Sequence, residues 1–217
     1  MIRNRGFFQK NSPPCRVHME EPDASTVVAE QLHDIIEPFS QRELVIVCIG
    51  TDRSTGDSLG PLIGSKLQEK SLTSFSVYGT LEHPVHAVNL EEQLKMIESN
   101  HHRPYIIGID ACLGRMNSVG KISIGKGPVK PGAAVKKELP EVGEMHITGI
   151  VNIGGMMEYF VLQNTRLHVV MKMADTIVKS IRMADKHLSV PKTRKPSLLQ
   201  AIKPSIFSKD NRETNLS

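Results

Sequence analysis

The sequence predicts an α/β fold, a three-layer sandwich on a largely parallel sheet. Two apolar runs, Leu44–Ile49 and Tyr105–Ile109, lack the alternation of a half-exposed strand and suit strands buried on both faces. Segments with apolar residues at helical spacing stand between and around these runs, as crossover helices do in parallel sheets. With 217 residues and 39% hydrophobic content, the chain can build one domain with a sizeable core.

Residues 1–23 mix Arg, Lys, Ser and a Pro-Pro pair, and read as a flexible N-terminal tail ahead of an α/β domain over 24–190. From Ala24, the positions Val27, Val28, Leu32, Ile35 and Ile36 recur at helix spacing until Pro38 stops the run. The strand Leu44–Ile49 ends at Gly50, and a Gly/Ser/Thr/Asp loop leads to Gly60. An amphipathic helix then runs to about Lys70. Phe75–Tyr78 is a short strand, Asn89–Ser99 a helix with Leu90, Leu94 and Ile97 on one face, and Tyr105–Asp110 a strand. Val119–Ile124 alternates as a further strand does, and Gly125–Gly143 is a long Gly/Pro/Lys loop of the kind that serves function or mobility. Gly154–Leu162 reads as a helix, Leu167–Val170 as a strand, and Met171–Leu188 as the last helix.

Charge is unevenly spread. Of 27 Lys/Arg and 23 Asp/Glu, residues 191–217 hold six and two, so this C-terminal tail carries the whole +4 and the rest is neutral. A nucleic-acid-binding body is therefore not expected, and with no Trp and only three Tyr there is little for bases to stack on. The basic tail also holds Leu198, Leu199, Ile202, Ile206 and Phe207, and suits docking to an acidic protein partner. No apolar run has the length of a membrane span, and the N-terminus has no secretory h-region. Cys15, Cys48 and Cys112 lack metal-knuckle spacing and read as free thiols of a reducing cytoplasm.

Ligands in open α/β sheets bind beyond the carboxyl ends of the strands. Asp57 lies in the loop after Leu44–Ile49, and Asp110 ends Tyr105–Ile109. Two carboxylates on one rim could share a proton or bind a metal. The structural alternative for Asp57, just before a helix, is an N-cap. His146, taken alone, is a loop or strand-end histidine with a backbone partner. His83 and His86 belong to a loop, and His101 and His102 to the end of a helix. Cys112 reads as a buried thiol, and Gly154–Gly155 as a tight turn. There is no P-loop and no GxGxxG, so no nucleotide cofactor is expected.

The segment Gly50-Thr-Asp-Arg-Ser-Thr-Gly-Asp57-Ser-Leu-Gly60-Pro61 resembles the corresponding loop of the germination proteases of spore-forming bacteria. Ile109-Asp110-Ala111 resembles their second motif, and Gly125-Lys-Gly-Pro-Val-Lys-Pro131-Gly132 the loop that follows. Length and motif order most resemble the shorter YyaC-like sporulation proteins of that superfamily. The resemblance covers residues 44–190. It implies a phosphorylase/hydrolase-like fold and a sporulation-associated peptidase of the sporulating cell or forespore cytoplasm, acting on a protein or peptide substrate. Asp57 and Asp110 would be the catalytic aspartates, with no cofactor and with their separate roles unassigned. His146 would orient a carboxylate or stabilise developing charge. The chain also resembles the hydrogenase maturation proteases, where His146-Ile-Thr-Gly149-Ile150 fits a His-x-x-Gly-Leu pattern. That resemblance implies an alternative site in which Asp57, Asp110 and His146 hold one divalent metal ion. The family's Gly-Asn is Gly50-Thr51 here and its Glu is Asp57, so nickel does not carry over. A third expectation is a non-catalytic interaction protein that retains the fold.

Overall fold

The computed structural model describes residues 13–132 and 139–189. They form a mixed six-stranded sheet with helices on both faces, the α/β sandwich expected. The strands are β1 (Cys15–His18), β2 (Leu44–Cys48), β3 (Phe75–Tyr78), β4 (Tyr105–Gly114), β5 (Lys121–Lys126) and β6 (Met145–Ile153). The helices are α1 (Ala24–Ile36), α2 (Leu59–Gln68), α3 (Leu90–Asn100), α4 (Glu158–Gln163) and α5 (Leu167–Ser189). Spatial order is β1-β5-β6-β4-β2-β3. Strands β3, β2, β4 and β6 run parallel, while β5 is antiparallel to both of its neighbours.

Every residue of β2 is buried, because both faces of the sheet are covered. On one face, Ile46, Ile107, Ile109 and Ile147 pack with Leu32 and Ile36 of α1, Ile63 of α2, and Met173 and Ile177 of α5. On the other, Val45, Val47 and Ile106 pack with Leu90 and Ile97 of α3 and with Val129 and Val142 from the long loop. Each fully buried Leu or Ile contributes about 1.5–3 kcal/mol. Helices α2 and α3 therefore cover opposite faces of the sheet. The chain goes from β2 through α2 to β3 on one side, and returns through α3 to β4 on the other. The gap between β2 and β4 is thus the topological switch point. Among the described residues, no helix is long and apolar enough to cross a membrane.

Several expectations change. The N-terminal tail does not extend to residue 23. Cys15–His18 pairs with β5 as an edge strand, with Val17 buried in the core. Leu167–Val170 is not a strand but the first turn of α5, because Val170 continues at helical spacing into the buried Met173, Ala174 and Ile177. The helix expected from Gly154 begins only at Glu158, since Gly155 (φ 130°) and Met157 (φ 51°) hold left-handed backbone. The long loop from Gly125 starts within β5, and its two arms meet at a Val129–Val142 bridge. The basic tail, residues 191–217, lies outside the described residues.

Candidate active site

Four parallel strands bring their carboxyl ends to one rim, and three of them supply the candidate site. Two glycines fix the loop after β2. Gly50 (φ 143°) lies against the Asp57 carbonyl, which a Cβ there would approach to 2.0 Å. At Gly60 a Cβ would stand 2.1 Å from the Ile49 carbonyl oxygen, so the start of α2 is pressed directly onto the end of β2. The Thr51 N–H donates to the Asp57 carbonyl at 3.1 Å and closes the loop. This turns Asp57 inward from the 3-10 turn Gly56–Ser58. Its carboxylate caps nothing: the residue before α2 is Ser58, with no side-chain cap, and the Ser58 hydroxyl donates to the Thr55 carbonyl.

Asp110 sits within β4, which runs on to Gly114. It stands level with the end of β2, where the Ile49 N–H donates to the Ile109 carbonyl. Its Oδ1 accepts the Ala111 N–H at 2.8 Å, and the residue is only 7% exposed. Asp57 and Asp110 line one cavity of about 70 Å³, together with His86, Cys112 and Leu162, which is room for a few water molecules. Beside it lies a larger groove of about 510 Å³ that shares Asp57, His86 and Leu162 and extends along Arg53, Val88 and Tyr159.

The two carboxyls are unequal. Desolvation raises Asp57 to about 6, a rise that His86 opposes. Asp110 is raised well above the ordinary range, first by its deeper burial and then by the negative charge of Asp57, against the pull of the Ala111 N–H. Asp57 is therefore the carboxyl that ionises first, and Asp110 the one that holds its proton longer. Burial pushes the Cys112 thiol to about 11 despite a hydrogen bond with Thr148, so it is a neutral thiol and no nucleophile.

His146 is not part of this cavity. It pairs with Gly108, one pleat short of Asp110 along the sheet, and its Nδ1–H donates to the Gly127 carbonyl at 3.0 Å. The imidazole that the site does hold is His86, read from the sequence as a loop residue. Its Nδ1 accepts the Val88 N–H at 3.3 Å. Because β3 is parallel to β2, the loop after it reaches the same rim, as the bridge of Val85 to Ile49 shows. The rule that pointed to Asp57 and Asp110 would have found His86 had it been applied to the third strand. His83 is exposed beside Glu82, and His101 joins Glu43 and Tyr78 in a structural cluster at the end of α3. The metal set of Asp57, Asp110 and His146 is not assembled. Its histidine lies elsewhere, and among the described residues no three His, Cys, Asp or Glu side chains stand together as a metal site.

An acid and a carboxylate in one cavity at the switch point define the class, an α/β protein with an acidic site at its strand ends. The chain belongs to the family described as a protein of unknown function, DUF1256, which matches residues 16–180. It is 50% identical over 190 residues to the uncharacterized protein YyaC of Bacillus subtilis (strain 168), covering 86% of this chain and 91% of that one. The YyaC-like kinship expected from the sequence therefore holds. Among solved structures, the chain is similar to the [NiFe] hydrogenase maturation protease HycI from Thermococcus kodakarensis KOD1, with a TM-score of 0.49 and 16% identity over 71% of this chain and 98% of that one. It is also similar to the Hydrogenase 3 maturation protease, with a TM-score of 0.42 and 17% identity over 64% of this chain and 89% of that one.

Proposed function

We propose that this protein is a peptidase whose Asp57 carboxylate activates water while protonated Asp110 polarises the scissile carbonyl. The observation that carries the reading is the inequality of the two carboxyls within one cavity. A base is most effective with a pKa near the working pH, and Asp57 at about 6 meets that condition. Asp110 donates a hydrogen bond to the carbonyl oxygen as negative charge develops there, and keeps its proton throughout. Water gives a proton to Asp57 as its oxygen bonds to the carbonyl carbon. The tetrahedral intermediate then expels the amine, which takes that proton as the C–N bond breaks. The mechanism asks nothing of His146, and His86 takes over the task of tuning the base.

The larger groove beside the cavity suits an extended protein or peptide substrate. Resemblance to the germination proteases supports a role in sporulation, in the cytoplasm of the sporulating cell or forespore. A small acid-soluble spore protein is the first substrate to assay, with Asp57→Asn and Asp110→Asn tested separately. Each substitution should lower cleavage at least about a hundredfold, whereas His146→Gln should leave it near wild type. Wild-type rates in both Asp variants would refute the mechanism. A second reading, an interaction protein without turnover, is favoured by the exposed apolar side chains of Met156, Met157, Tyr159 and Phe160 around α4. Retained partner binding in both Asp variants, with no cleavage by the wild type, would support it.

A further inference from the structure

The sheet register places a second set of polar side chains beside the acidic cavity. Arg16 of β1 pairs with Ser123 of β5, Ser123 with Thr148 of β6, and Thr148 with Asp110 of β4. Directly paired residues project from the same face, so these four form one row across the sheet. The far end of the row lines a pocket of about 550 Å³ with Arg16, Arg115, Ser118, Ser123 and Thr148. Cys112 and Leu113 line both this pocket and the acidic cavity, so the two adjoin.

The pocket is built for negative charge. Two arginines, Arg16 and Arg115, both exposed, line it, and no Asp or Glu does. Neither arginine has an ion pair or side-chain hydrogen bond among the described residues, whereas Arg42 engages Glu144. Ser123 is only 5% exposed, yet its hydroxyl has no partner among the described residues. The hydroxyl opens on the pocket, where a ligand can supply the partner that the protein does not. Arginine holds carboxylates through paired N–H donors, and neighbouring hydroxyls extend that set.

We propose that this pocket is a subsite for a carboxylate of the peptide substrate, held by Arg16 and Arg115 with the Ser123 hydroxyl. Three strand spacings separate Arg16 from Asp110, roughly 14 Å, a span of about four residues of extended peptide. The carboxylate thus lies about four residues from the bond being cut. Its place in a substrate rests on the peptidase reading; the anion selectivity of the pocket does not.

Binding to the full-length protein separates the two. Three acetylated five-residue peptides of Ala and Ser serve as probes. One carries an Asp at the fifth position and a C-terminal amide, one a free C-terminal carboxylate, and one neither charge. Calorimetry should show at least one charged peptide binding about tenfold more tightly than the neutral one, as a charge-assisted contact gives. Whichever charged peptide gains identifies a side chain or a chain terminus as the source. The advantage should vanish in the Arg16→Gln/Arg115→Gln double variant, shrink in the wild type as salt rises, and persist in Asp57→Asn. Equal binding of all three peptides, no binding of any, or an advantage that survives both the double substitution and high salt would overturn the subsite. Retained carboxylate preference without cleavage would overturn only the peptidase reading.

Discussion

Asp57→Asn should make this protein more stable at neutral pH. Burial lifts the Asp57 carboxyl from an ordinary 3.8 to about 6. Below the unfolded value both states are protonated, and the group costs folding nothing. Between 3.8 and about 6 the unfolded chain releases its proton while the folded one keeps it, so stability falls as pH rises; above about 6 the loss is complete. The full loss amounts to about 3 kcal/mol, and the residual solvent contact of this half-buried side chain trims it to about 2. Asparagine keeps the shape without the charge. At pH 7 the variant should therefore melt about 4–8 °C higher than wild type, using the usual conversion for a domain of this size. Thermal unfolding followed by circular dichroism at pH 4 and pH 7 reads the effect, which should be small at pH 4 and large at pH 7. A variant no more stable than wild type at pH 7, or a gain independent of pH, would refute the claim that desolvation strains this carboxylate.

The same geometry carries three further expectations. His86 holds the Asp57 pKa down, so under the proposed peptidase mechanism His86→Gln should move the acid limb of the kcat/KM profile to higher pH; an unmoved limb would show that His86 does not tune Asp57. Asp185, 7% exposed near the end of α5, accepts the Thr73 N–H, the Ser74 N–H at 2.7 Å and the Thr73 hydroxyl. Asp185→Ala leaves those donors unpaired and should cost about 2–4 kcal/mol in urea unfolding. Gly60→Ala drives a methyl into the Ile49 carbonyl and should cost about 1–3 kcal/mol, with cleavage falling further than stability accounts for, because the same contact sets the Asp57 turn.

The central parallel strands were plain in the sequence because both their faces are apolar. Leu44–Cys48 could be bounded almost to the residue for that reason. Strand β6 escaped notice because only one of its faces is greasy. Met145, Ile147 and Val151 face the core, while His146 and Thr148 face the polar side and mask the pattern. Strand β1 was hidden for a similar reason: in Cys-Arg-Val-His only Val17 is buried, and its partner lies far along the chain. Asp57 and Asp110 were legible because the loop and strand around them have strong local signatures. His86 and His146 exchanged places because which histidine reaches a rim depends on strand order, and strand order is not a local property. Which of the two carboxyls keeps its proton longer was likewise out of reach, since it depends on depth of burial.

The sheet tapers. Its inner strands β4 and β6 run for ten and nine residues, while the edge strands β1 and β3 have four each. Short borders present few unpaired N–H and C=O groups to a passing chain. At one border Pro14 immediately precedes β1 and, with no N–H, cannot lengthen the ladder as a donor. A large parallel sheet is prone to edge-to-edge association whenever its margin is long and bare. Among the described residues the length lies in the interior, beside the candidate site, and the short margins offer few groups for another chain to pair with.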